Sequence, residues 1–150
     1  MVEFPDHIYN NVFDGEIKKG TIVKTNLLCH DGIERPHYFI TLSPDTNNDP
    51  LVFVISTTQL KFYNDHPFFN KEIVRIPVGQ VECLTLESII DCRKLTKIAR
   101  NKLQESYRQG LLIFCGIMPA EIMAQIETII KESRFIPNND KKLILGDNFQ

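Results

Sequence analysis

Tryptophan is missing from the 150 residues, glycine is scarce at 7, and no stretch approaches the roughly 20 consecutive apolar residues of a membrane-spanning helix. A helical membrane anchor is therefore not expected. The four cysteines, Cys29, Cys83, Cys92 and Cys115, form no CxxC pair and join no His cluster at ligand spacing. Neither a structural zinc nor a disulfide framework is expected from them, and no metal or cofactor motif stands elsewhere. Positive charge is not in excess: the net charge is −2 and the pI about 6.1. Any contact with nucleic acid must then rest on a local patch. The opening MVEFPDHIYNNVFDGE carries acids and a proline where a secretory leader has a basic stretch and then an apolar run, so a cytoplasmic protein is the expectation. Internal repeats and low-complexity segments are also missing.

What is present suits one domain with a single core, mainly β with helices (α+β). Residues 1–19 show no sustained period and read as an N-terminal arm whose order depends on docking. From Gly20 the chain supplies strand candidates in series. TIVKTNLL and HYFITLS are β-branched or alternating, and LVFVIST is nearly all apolar, as a strand covered on both faces should be. TQLKFYNDHPFFN reads as a long loop, because Asn-Asp and the His66-Pro67 step interrupt it. EIVRIPV is a fourth strand, and LTLESIIDCRKLTKI holds one or two more.

Residues 98–109 are rich in helix formers and end before Gly110, which predicts a short helix. LLIFCGIM reads as a last strand or buried turn. After Pro119, the residues Ile122, Met123, Ile126, Ile129 and Ile130 fall on one face of an amphipathic helix that should pack on the sheet. Residues 134–150 read as an appended tail or a strand used in association.

Several side chains could carry chemistry. Arg35, between a loop and Pro36, could hold a phosphate bidentately, although a loop arginine by itself is usually a solvated charge. Ser56, Thr57 and Thr58 present hydroxyls at the end of the apolar strand, where such runs more often satisfy turn backbone. His30, five residues before Arg35, has the side chain best suited to exchange protons near neutral pH. Asp91 and Arg93, two apart on an expected strand, would share a face as an ion pair or flank a scissile phosphate. DCRKLTKIARNK, from Asp91 to Lys102, holds five cations and one acid, so Lys94 and its neighbours could supply phosphate contacts or form a solvated helix face.

In their order along the chain, Gly20 with TIVKTNLL, the loop closing on Arg35-Pro36, VFVISTT, ESIIDCRKLTKI, Lys102-Leu103, Gly110-Leu111 and PAEIMAQIETII resemble the PemK/MazF family over roughly residues 19–132. The resemblance implies an SH3-like or CcdB-like β-barrel with a C-terminal amphipathic helix, commonly a homodimer. Its members are toxins of type II toxin-antitoxin systems, metal-independent endoribonucleases restrained by a small antitoxin protein. They cleave single-stranded mRNA to a 2′,3′-cyclic phosphate and a 5′-hydroxyl. It assigns catalytic roles to Arg35, Thr57, His30 and Asp91, and RNA contacts to Ser56, Thr58, Arg93 and Lys94. An arginine preceding an aspartate by two residues in some members is here reversed, as Asp91 then Arg93. A binding module on the same fold that does not cleave, or a gyrase-directed poison on a related one, stays open at this point.

Overall fold

Strands that are apolar on alternate residues of both faces need two covering layers. The computed structural model, which describes residues 4–26 and 37–146, supplies both. Among the described residues, seven antiparallel strands form one sheet: β1 (Thr21–Thr25), β2 (His37–Thr41), β3 (Leu51–Thr57), β4 (Ile73–Ile76), β5 (Ser88–Asp91), β6 (Thr96–Ile98) and β7 (Leu112–Ile117). The order runs β4-β5-β3-β2-β1-β7, with β6 beside β3, so β4 and β7 stand at the two ends of an open path. β3 is central. It pairs with β2 from Tyr38↔Ser56 to Thr41↔Phe53, with β6 through Leu51, Val52 and Phe53, and with β5 through Ser56 and Thr57.

The period of two sorts these strands into two cores. Ile22, Ile40, Val52 and Val54 face one side, where α4 (Ala120–Glu132) lays Ile122, Ile126 and Ile130 over them, and α5 (Asn138–Leu145) adds Ile144. Val23, Phe39, Leu51 and Phe53 face the other, beneath Phe13 of α1 (Asp6–Glu16) and Leu103 of α3 (Arg100–Arg108). Each aliphatic side chain so buried contributes about 1.5–3 kcal/mol. The fold is α+β: helices on both faces of an antiparallel sheet. Among the described residues no helix is long and apolar enough to cross a membrane.

The helix starts and stops follow local chemistry. Pro119 immediately precedes α4 and Glu121 lies in its first turn. α3 ends where Gly110 takes φ 75°, with the Gly110 amide donating to Tyr107 O and the Leu111 amide to Ser106 O. Those two bonds satisfy the last carbonyls of the helix, and the left-handed residue between them favours glycine.

Three segments differ from their expected states. The N-terminal arm is the helix α1, docked on α3 through Arg100–Asp14 (2.8 Å), Arg108 Nη1 to Asn10 (2.9 Å) and the Phe13, Tyr107 and Phe114 rings. The supposed loop after β3 is α2 (Leu60–Asp65) followed by a 3-10 helix over Pro67–Glu72. The proline does break the chain, since His66 sits at φ −129°, ψ 66°, but it separates two helices. The tail contains α5, whose Lys141 is buried and donates from Nζ to Lys131 O (2.9 Å) and Ser133 O (2.7 Å) at the end of α4. A cation at the negative end of a helix is well placed, and it fixes α5 there.

Candidate functional site

β3 leaves its core at Ile55, and from there its side chains border two open depressions. The first cleft, about 650 Å³, is lined by Ile55, Thr57, Tyr63, Asp91, Lys94 and Thr96, among others. A second, about 350 Å³, lies beside it, and His37, Tyr38, Ser56, Thr57 and Thr58 belong to its wall. Ile55 and Thr57 border both. Two residues apart on β3, they project to the same side, and Thr57 Oγ1 accepts from the Gln59 amide (3.2 Å), which leaves its O–H to donate.

Behind Tyr63 and Asp91 in the wall of the first cleft stands a four-residue assembly that also takes in Arg93 and Phe69. Asp91, the last residue of β5, accepts from three donors of Arg93: Oδ1 from the amide and Nε (both 3.0 Å), and Oδ2 from Nε (3.2 Å) and Nη2 (2.6 Å). The Tyr63 hydroxyl, on α2, also donates to Oδ2 (2.9 Å). The Arg93 guanidinium lies 3.7 Å from the centroid of the Phe69 ring. Both charged side chains of the pair are only 14% exposed. The pair was expected to lie along one strand. Instead β5 stops at Asp91 and Arg93 turns back over the carboxylate, because a short Asp side chain readily accepts from the amide two residues on.

Electrostatics follow from that packing. Burial pushes the Asp91 carboxyl up, yet the Arg93 side chain and amide, the Tyr63 hydroxyl and the Arg93 charge together outweigh it, and the pKa falls below its ordinary 3.8. Tyr63 is driven the other way, to about 12, by burial first and by the adjacent carboxylate second. Arg93 is held still more firmly protonated by the Asp91 hydrogen bonds. The assembly therefore carries a fixed carboxylate, a fixed guanidinium and a neutral phenol across the whole physiological range. An Asp91 with four donors on it is a poor proton acceptor; it positions Arg93.

Of the expected site residues, Thr57, Asp91 and Lys94 meet in the first cleft, and Ser56 and Thr58 join Thr57 in the second. Ser56 is buried, so its hydroxyl reaches the second cleft only from within the wall. Lys94 is exposed. Arg35 and His30 lie outside the described residues. Sequence reasoning passed over Tyr63 and Phe69, both in the segment read as a loop. The density of rings in KFYNDHPFF, five aromatic side chains from Phe62 to Phe69 with His66 included, was the available signal. His37, at the start of β2, also lines the second cleft.

Neither a protein-family model nor a curated protein matches the chain.

Proposed function

We propose that this protein is a metal-independent endoribonuclease of the PemK/MazF kind, the toxin of a type II toxin-antitoxin pair, acting on single-stranded mRNA in the cytoplasm. On this reading the sheet corresponds to the family's SH3-like barrel, and a homodimer and a small antitoxin are its partners. The observation that carries it is the meeting of Thr57 with Asp91 and Lys94: residues 34 or more apart in sequence border one cleft at one end of β3, and Arg93 is paired to Asp91 beside it.

In the proposed reaction the ribose 2′-oxygen attacks phosphorus and the bond to the 5′-oxygen breaks. His30 takes the 2′-hydroxyl proton, and the leaving oxygen is protonated to a 5′-hydroxyl. Arg35 and the Thr57 hydroxyl bind the charge that develops on the phosphate, each such donor giving about 10²–10³ in rate. Arg93, held by Asp91, and the exposed Lys94 bind neighbouring phosphates, and Ser56 and Thr58 line the path of the strand.

Incubation with mixed-sequence single-stranded RNA in EDTA, followed by end-group analysis, tests this directly. Cyclic-phosphate ends that disappear with Arg35→Ala are the expected result. A second reading, a module on the same fold that binds without cutting, is favoured by one feature: the Asp91 carboxylate is taken up by Arg93 and Tyr63 and offers no base. It predicts binding with no product under the same conditions.

A further inference from the structure

A second surface adjoins the first cleft on the side of α2. Phe62, His66 and Phe69 lie nearly parallel: Phe62 and His66 have centroids 4.4 Å apart at 24°, Phe62 and Phe69 are at 17°, and His66 and Phe69 at 26°. Phe68 packs against Phe69 at 4.2 Å. His66 is held in this set by Nδ1, which donates to Phe62 O (2.6 Å). Although the rings support one another, they are not buried: Phe68 is 64% exposed and Phe62 44%. Large rings kept in water at fixed mutual angles are preorganised for a flat apolar partner.

The stack is joined to the cleft through covalent and ionic links. Arg93 covers Phe69 and grips Asp91, and Tyr63, next to Phe62 on α2, holds the same carboxylate. Lys71 and Lys94 are exposed on the segments that carry these rings and the cleft wall, while Lys61 is paired with Asp65 (2.6 Å), so a flat partner with an anionic backbone is served by the rings and these two cations. We propose that Phe62, His66, Phe68 and Phe69 form a stacking platform for an unpaired base of single-stranded nucleic acid, adjacent to the phosphate held at the first cleft. An acidic peptide would use the lysines and leave the parallel faces of the rings unmatched. The platform deepens the ribonuclease reading, on which it rests, by assigning a base subsite to one side of the cleft.

The test uses the full chain and a non-cleavable ligand, a mixed-sequence RNA oligonucleotide with 2′-O-methyl riboses, with binding read by fluorescence anisotropy. Phe62→Leu with Phe68→Leu keeps apolar bulk at two exposed positions and removes the π faces. The double variant is expected to bind about 10-fold or more weakly with an unaltered salt slope, because stacking releases no counterions. One abasic position in the oligonucleotide should cost the wild type a similar factor and cost the double variant nothing further. Equal affinity of wild type and variant, equal losses in both on abasic substitution, or no binding by the wild type overturns the platform. So does a variant that loses only an acidic-peptide ligand. Cleavage of unmodified RNA is scored separately. No product from a wild type that shows the stacking signature sinks the nuclease reading alone, and normal product with unaffected variants sinks the platform alone.

Discussion

The two halves of β3 share one continuous backbone and do different work. From Leu51 to Val54 every side chain is buried, alternately under α4 and under α1 and α3, and β2 and β6 flank the strand. From Ile55 to Thr57 cover is partial: Ile55 is half-buried against the Phe13 and Leu103 core, Ser56 and Thr57 pair with β5, and the side chains border open clefts. A strand can thus anchor the domain at one end and present hydroxyls at the other with no break in its hydrogen bonding. What changes along it is the side chains and their cover, not the backbone pairing.

The largest expected effect would break this contrast from the core side. Phe53 is fully buried against Phe39, with ring centroids 6.0 Å apart, so Phe53→Ala should lower stability by about 3–5 kcal/mol, read as a fall in denaturant midpoint. Next comes Arg93→Met, which strips the Asp91 carboxylate of its charged partner in a site that is 14% exposed. A loss of about 1.5–3 kcal/mol is expected from the same measurement, together with a rise in the Asp91 pKa followed by NMR titration.

The pH dependence sharpens the contrast further. Asp91 has a folded pKa below its unfolded value of 3.8, so its contribution is complete above that value and is lost as pH falls through the folded pKa. The stability gap between wild type and Asp91→Asn should be constant near pH 5–7 and shrink below about pH 4. Smallest in stability is Lys94→Ala, at an exposed residue on the cleft wall: within about 0.5 kcal/mol of wild type, yet lowering the slope of log affinity against log salt for RNA by about one.

The strands were legible because period two and β-branching survive in short windows. All seven fall within the segments that alternate or run apolar, and LVFVIST showed its double-sided burial directly. α4 was legible from its isoleucines. α1 was not: Tyr9, Phe13 and Ile17 keep a four-residue spacing, but Pro5 and the Asn10-Asn11 pair obscure it, and the helix gains its apolar cover only on docking against the sheet and α3. α2 and the 3-10 helix are each six residues, too short to display a period around the proline that divides them. α5 depends on a lysine inside the fold, which no hydropathy pattern anticipates. At the site, Thr57, Asp91 and Lys94 were picked by resemblance and do share a cleft. Tyr63 and Phe69 were missed because their roles exist only once the supposed loop is helical.

One wall, that of Ile55 and Thr57, belongs to both clefts. If a ligand group seated on one side changes the Thr57 rotamer that the other side meets, occupancy of the two depressions is coupled, and each then alters the affinity of the other by the same factor. A partner that fills only the smaller depression would therefore act as an allosteric ligand of the larger one without touching Asp91 or Lys94.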